Sequence, residues 1–439
     1  MALAASSPGQ YRPRMLSSAH NPVHRQIVEQ SRQLLRDDDF DRAHQMYRAL
    51  INAGTVDSDV HIAYAALLSK KGDVDGAHRH LVGHYMLNPV GKHPEGVAEG
   101  DARLLYARGL DKTYAMVGKG SDGRSVARLR GGHFTLQYLM KGDDTPRQRI
   151  TFLPDSLLPA EMLPNHHLIL NTISDVDIEA GSLRSLDLFL DRNPSERIIN
   201  SPKVVLRTGR DTNYERLNGL HAIQFARTLK VTLDGSSADH LAKLVAHRGF
   251  NAPFIIREAG THTGRTTELI NSTVDLERYA KQPLSGEYYL INYIPVLWRS
   301  EFFRKMRLFI IDGEAYPVVC HFDRFWNVHG GNRLKIMKAS EALMEQERSF
   351  LADWRAYVGK RAVEGIDNAI KATPLEFFGI DFTVTDSGDI LIYELNASMR
   401  HSFDHAKSFT YKQKYDEATS EAFQKMVARH LRMASAAAP

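Results

Sequence analysis

Two strand-like runs near the C-terminus, Phe377–Val384 and Ile390–Asn396, constrain this chain more than any other feature. The link between them, Thr385-Asp386-Ser387-Gly388-Asp389, is dense in turn-forming residues, so the pair reads as a β-hairpin. With Ser387-Gly388 as a two-residue loop, Asp386 pairs with Asp389, and counting back puts Asp381 directly opposite Glu394. Carboxylates that face each other across strands repel. A cation between them would resolve the repulsion, and magnesium suits a site of one or two carboxylates plus substrate phosphates. Asn396 shares a face with Glu394 and can add a neutral oxygen. A three-residue loop would shift the pairing by one position, and a hairpin with its charges in water is the alternative.

The 439 residues exceed one ordinary domain, and a hydrophobic content of 43% supplies sizeable cores, so two or three domains are expected. The 56 basic residues outnumber the 52 acidic ones by only 4, which makes no case for nucleic acid or an anionic membrane as partner. Cys320 is the only cysteine, which excludes an internal disulfide and a multi-cysteine zinc cluster. No apolar run approaches the roughly 18 to 20 residues of a membrane-spanning helix. A soluble, cytoplasmic protein is expected, with residues 1–21 as a flexible tail.

Within residues 22–124, read as a helical region and linker, Asp39-Phe40-Asp41-Arg42-Ala43-His44 recurs as Asp73-Val74-Asp75-Gly76-Ala77-His78. The offset, 73 − 39 = 34 residues, resembles the period of tetratricopeptide repeats, whose small residues let neighbouring helices approach. That resemblance implies an all-α region able to receive a peptide or protein partner, with a generic helical cap as the alternative. The stretch Gly118-Lys119-Gly120-Ser121-Asp122-Gly123-Arg124 reads as a connecting loop without the spacing of a phosphate-binding motif.

From residue 125 to 202 short apolar strands alternate with helical stretches: Ile150-Thr151-Phe152-Leu153, residues 167–171, a helix around 183–190, then Arg197-Ile198-Ile199-Asn200. This alternation predicts an α/β domain with a largely parallel sheet.

Across residues 125–405 an ordered series of motifs resembles the ATP-grasp superfamily, which includes glutathione synthetase and ribosomal-protein glutamate ligases. The series is Ile199-Asn200-Ser201-Pro202, Arg207-Thr208-Gly209-Arg210, Phe254-Ile255-Ile256-Arg257, Lys305-Met306-Arg307, Gly379-Ile380-Asp381-Phe382 and Glu394-Leu395-Asn396. The resemblance implies an α/β (α+β) ATP-grasp fold over residues 203–439, preceded by the α/β domain, with ATP and Mg2+ as cofactors. By the same resemblance Asp381, Glu394 and Asn396 hold the metal, and Arg210 and Arg257 meet phosphates where relatives often carry Lys. Thr261, His262 and Gly264 lie in the phosphate-covering loop. Ile291, Asn292, Tyr293 and Ile294 are candidates for the adenine site, with a buried strand as the alternative.

Lys305 and Arg307 alternate onto one sheet face, where two cations would stabilise charge on a transferring phosphoryl group. Lys305 is also a candidate for binding ATP. His321, Asp323, Arg324, Trp326 and His329 form a polar and aromatic stretch, read as a loop beside an acceptor pocket. Arg400 and His401 follow the metal candidates and are placed to grip an acidic substrate, or simply to open the C-terminal helix.

The function that this resemblance implies is a carboxylate–amine ligase that forms an amide through an acylphosphate and releases ADP. Its substrates would be peptide or small-molecule carboxylates and amines, and a homo-oligomer would be ordinary for the superfamily. A kinase built on the same ATP-binding parts and a non-catalytic adaptor are the alternatives.

Overall fold

The structure is a computed structural model that describes residues 22–92, 103–120, 122–235, 238–261, 266–328, 330–397, 399 and 407–436. His262, Gly264, His329, Arg400 and His401 lie outside the described residues. The chain divides into two compact units, residues 1–88 with 114–130, and residues 89–113 with 131–439.

The first unit opens with two helical hairpins, α1 (Pro22–Arg36) with α2 (Phe40–Asn52) and α3 (Ser58–Lys70) with α4 (Val74–Leu87). The 34-residue echo has a local cause. Asp39 and Asp73 each stand before the second helix of a hairpin and accept from the backbone N–H of Arg42 and Gly76, satisfying donors that a helix start leaves open. Ala43 and Ala77 are buried where the helices meet. After β1 (Leu104–Gly109), which belongs to the second unit, a hairpin of β2 (Tyr114–Lys119) and β3 (Ser125–Arg130) completes the first. Val117 and Ala127 pack against the helical core of Val28, Tyr47, Val60 and Leu67, and Asp38 accepts from both Lys119 and Ser125. The stretch read as a connecting loop at 118–124 is therefore the tip of this hairpin, and the expected boundary at residue 125 falls inside it.

In the second unit, β1 pairs in parallel with β4 (Arg147–Phe152) and β5 (Leu168–Asn171), and β5 with β6 (Ile198–Ile199). Short helix α5 (Leu136–Leu139) precedes β4, and α6 (Val176–Arg192) follows β5, giving the parallel α/β arrangement that the alternation predicts. Helices α7 (Pro202–Val205) and α8 (Arg210–Leu217) lead into β7 (Ile223–Phe225).

An antiparallel sheet follows, ordered β10 (Glu268–Ile270), β9 (Phe254–Glu258), β11 (Ser285–Asn292) and β8 (Thr228–Asp234), with α9 (Ala238–His247) and α10 (Thr273–Tyr279) between its strands in sequence. The last sheet runs β12 (Leu297–Trp298), β13 (Phe302–Ile311), β15 (Phe377–Val384), β16 (Ile390–Asn396) and β7, with β14 (Glu314–Asp323) also paired to β13. Helices α11 (Gly330–Lys338), α12 (Glu341–Ala352), α13 (Trp354–Val358) and α14 (Lys360–Ala372) fill the span between β14 and β15, and α15 (Gln413–Ala436) ends the described chain.

Strand β15 is buried on both faces. Phe378, Ile380 and Phe382 join one core cluster, while Phe377 sits in another among Phe134, Phe309 and Phe423. Each such side chain contributes about 1.5–3 kcal/mol by leaving water. Alternation then fixes where Asp381 points: to the Phe377 face. Asn200 ties the parallel sheet to β15, its Oδ1 accepting from Phe377 N–H at 2.9 Å and its Nδ2 donating to Phe377 O at 2.7 Å. No helix among the described residues is long and apolar enough to cross a membrane.

Candidate functional site

Asp381 and Glu394 are directly opposite in the β15–β16 ladder, and Arg307 is opposite Asp381 in the β13–β15 ladder. Arg307 grips Asp381 with two parallel bonds, Nε to Oδ1 at 2.6 Å and Nη2 to Oδ2 at 2.7 Å, and Lys305 Nζ lies 3.4 Å from Oδ2. The side chain of Asp381 is only 2% exposed. Burial alone would push its carboxyl up, but the charges of Arg307 and Lys305 overcome this and hold it below the usual carboxylate range.

Glu394 is held from the other side. Arg210, the first residue of α8, reaches Glu394 Oε1 at 2.8 Å and donates to Tyr393 O at 2.9 Å, and Asn396 Nδ2 donates to the same Oε1 at 2.8 Å. Arg257, at the end of β9, donates to Thr261 O, while its Nε is buried without a hydrogen-bond partner among the described residues. Burial, then the neighbouring charge of Arg210, pushes the Arg257 guanidinium down to about 10.

Arg210, Arg257, Glu394 and Asn396 meet in an open cleft lined by residues 174–177, 208–210, Arg257, Gly260, Thr261, Tyr289 and 394–396. Its far wall is the start of α6. Asp177 Oδ1 accepts from Lys230 Nζ and from Tyr289 OH, both at 2.7 Å, so the first turn of α6 is fastened to β8 and β11. Burial, then the Asp177 charge, pushes the Tyr289 hydroxyl up, which keeps it a donor. Gly209 opens α8 without a side-chain cap, leaving the backbone donors of that helix start to the cleft side.

The structure thus gathers Arg210, Arg257, Thr261, Glu394 and Asn396 in one cleft, with Lys305, Arg307 and Asp381 joined to it through the facing carboxylates. Ile291, Asn292, Tyr293 and Ile294 are half-buried at and beyond the end of β11 and do not line it. The stretch from His321 to Trp326 does not line it either. His321 is a core residue of β14 beside the buried Glu347, Asp323 closes a turn by accepting from Phe325 N–H, Arg324 pairs with exposed Glu301, and Trp326 stands edge-on to Tyr293.

Ser174, Asp175, Asp177, Lys230 and Tyr289 escaped the sequence reading. A Ser-Asp-Val-Asp start to a helix carries a capping signal, and Lys230 stands among Leu229, Val231 and Leu233 of a strand, but neither pattern says which cleft it serves.

No protein-family model matches the sequence, and no curated protein matches it. Among solved structures the chain is similar to a D-alanine–D-alanine ligase from Bacillus anthracis complexed with ATP, at 13% identity and a TM-score of 0.40, over 77% of this chain and 100% of that one. It is also similar to the VanG D-Ala:D-Ser ligase from Enterococcus faecalis (11% identity, TM-score 0.43, 75% and 99% covered). A third is an ATP-grasp RimK domain protein from Sphaerobacter thermophilus (11%, 0.37, 72% and 98%). At these identities and scores no function passes from those proteins to this chain.

Proposed function

We propose that the chain is an ATP-dependent carboxylate–amine ligase of the ATP-grasp superfamily, forming an amide with release of ADP and phosphate. The observation that carries this reading is the pair of facing carboxylates, Asp381 and Glu394, each gripped by a different arginine beside one cleft.

The residues fit the groups this requires. Arg210 and Arg257 line the cleft, Lys305 and Arg307 hold Asp381 beside it, and the buried Nε of Arg257 wants an acceptor. A phosphate oxygen supplies one. Among the described residues no group of three or more His, Cys, Asp or Glu could hold a metal. Two carboxylates with an amide suit Mg2+, which takes few protein ligands and completes its shell with phosphate oxygens and water.

Asp381, Glu394 and Asn396 would hold Mg2+, which would supply positive charge against the negative charge developing on a transferring phosphoryl group. Arg210 and Arg257 bind and orient the phosphates, and residues 259–261 cover them. Lys305 and Arg307 offset the negative charge that grows as the acceptor carboxylate is phosphorylated. Asp177, held by Lys230 and Tyr289, keeps the cleft wall in place.

The helical hairpins of the first unit serve as a platform for a peptide or protein, which makes a peptide-borne carboxylate or amine the favoured substrate, in the cytoplasm.

The test is Mg2+-dependent ATP binding and product identification for the wild type beside Glu394→Gln, with pooled peptides and amino acids as substrates. Substrate-stimulated ADP release in the wild type, with binding weakened in the variant, supports the ligase. AMP and pyrophosphate as products, or equal binding by both proteins, sinks it.

A further inference from the structure

We propose that Glu179 is a positioning residue for the cleft: as the neutral acid, it holds the break in α6 that presents Asp175 and Asp177 to the site. The functional reading above enters only in calling that cleft the reaction site.

Helix α6 is broken at Glu179, whose backbone (φ −127°, ψ 31°) is not helical. Beyond the break the helix starts again, and the new start is capped by Asp111: Gly181 N–H donates to its Oδ2 at 2.6 Å and Ser182 N–H to its Oδ1 at 2.9 Å. Before the break, residues 174–177 line the cleft. The side chain of Glu179 fills the joint. It is fully buried, its Oε2 accepts from Asp111 N–H at 2.9 Å, and its Oε1 is in a short hydrogen bond with the Thr113 hydroxyl.

Three glycines leave the volume that this carboxyl occupies. A Cβ at Gly109 would overlap its Oε2, one at Gly131 would come within 3.0 Å of its Oε1, and one at Gly132 within 3.0 Å of its Cγ. The same Gly132 accepts through its carbonyl from Ser174 N–H at 2.7 Å and Asp175 N–H at 3.1 Å, so the wall of the carboxyl pocket is also the anchor of the cleft segment. Packing alone would be met by an apolar side chain. Both polar partners, Asp111 N–H and the Thr113 hydroxyl, donate to the carboxyl, so the joint calls for a polar group there.

Burial pushes the Glu179 carboxyl up to about 7, against the hydrogen bonds from Asp111 N–H, Thr113 and Ser182 and with the help of the Asp111 charge. The other charged groups around the joint are Asp111, Asp175 and Asp177, with Lys112 Nζ on Asp177 O at 3.0 Å. His133 accepts from Gly109 N–H through Nε2 and is kept neutral by burial and the charge of Arg108, which hold it down at about 3. As the neutral acid Glu179 keeps accepting at Oε2, and with Oε1 protonated the Thr113 hydroxyl, which otherwise donates to it, turns to accept. When ionised, it sets an unpaired charge in a dry pocket beside the Asp111 carboxylate. Glutamine reproduces the neutral pattern, donating to Thr113 and accepting from Asp111; alanine has neither group.

The experiment compares the wild type, Glu179→Gln and Glu179→Ala by hydrogen exchange of the amides at 174–178 and 181–182, corrected for intrinsic rates, and by the affinity for Mg·ATP. Between about pH 6 and about pH 8 the wild type should lose roughly fivefold or more in protection, as an acid titrating near neutrality requires. Glu179→Gln should keep its acidic value across that range, and Glu179→Ala should be low throughout, with Mg·ATP affinity following the same three patterns.

Wild-type protection that does not change with pH, or a glutamine variant that behaves like alanine, overturns the proposal. Should Glu179→Ala not fold, the pH dependence of the wild type against Glu179→Gln decides alone. The exchange pattern without Mg·ATP binding in any of the three supports the positioning role and removes the ligase reading.

Discussion

Asp381 and Glu394 face each other across the β15–β16 ladder, yet each carboxylate belongs to a different arginine, Arg307 for the first and Arg210 for the second. The repulsion is thus met from two sides of the hairpin by cations on β13 and α8. Replacing Asp381 by Asn keeps the shape and removes the charge that Arg307 and Lys305 share. Breaking a buried pair from one side typically costs about 3–5 kcal/mol, and the partial exposure of Arg307 puts this case toward the low end. Urea unfolding of Asp381→Asn should show that loss, together with loss of Mg2+-dependent ATP binding.

How this pair forms also shows what the sequence could and could not say. Counting from a two-residue loop reaches Asp381 opposite Glu394. The chain instead turns through three residues, with Thr385 N–H donating to Asp389 O and Val384 paired with Ile390, and an irregularity at Tyr393 then restores the register by one. The facing pair was legible because both carboxylates lie on period-two strands; the bulge was not, because the partner of Tyr393 O there is Arg210, on a helix distant in sequence. Gly388 makes the three-residue turn with φ +82°, a left-handed conformation. Gly388→Ala has space, its Cβ falling 3.5 Å from Arg361 Cδ, so the expected loss of about 1–2 kcal/mol in unfolding free energy is backbone strain alone.

The 34-residue echo was legible as helical hairpins because it marks their caps. That a β-hairpin from beyond residue 113 joins the same core was not, since Val117 and Ala127 look like any small apolar pair in a Gly-rich stretch. The same limit applied to His321, whose neighbour Glu347 is far away in sequence and is held in turn by Lys412. A single cooperative core makes a definite prediction. Leu67→Ala, at a fully buried site of α3, should cost roughly 2–5 kcal/mol. Native-state hydrogen exchange should then show β2 and β3 losing protection together with α3; loss confined to the helices would mean that the hairpin is held elsewhere.

Stability should depend on pH through Glu179. Its carboxyl is raised from 4.5 to about 7 by burial, so the folded state binds the more protons between those values. The sign follows: the stabilisation is fully present below the unfolded value and is lost as pH rises through about 7, by an amount on the order of 3 kcal/mol. Unfolding free energies of the wild type, measured in urea from acid to mildly alkaline pH, should fall across that window. Glu179→Gln has nothing to titrate there and should lack that part of the slope.

Glu347 and Lys412 form a buried ion pair away from the residues that line the cleft. Glu347 on α12 is fully buried and accepts from Lys412 Nζ at 2.8 Å, Tyr411 OH at 2.7 Å and Cys320 N–H at 3.0 Å, so a single carboxylate joins α12, β14 and the start of the C-terminal helix. Lys412→Met leaves that charge without its cation and should cost about 3–5 kcal/mol. Adding Glu347→Leu removes the stranded charge, so the double variant should regain much of the loss. Recovery should stay incomplete, because Cys320 N–H then has no acceptor, at a cost of about 1–3 kcal/mol. Urea midpoints of the two single variants and the double give the coupling directly. A double variant that stays well below the wild type means that the pair fastens the three elements; one as stable as the wild type means that the charges set which surfaces meet rather than how tightly.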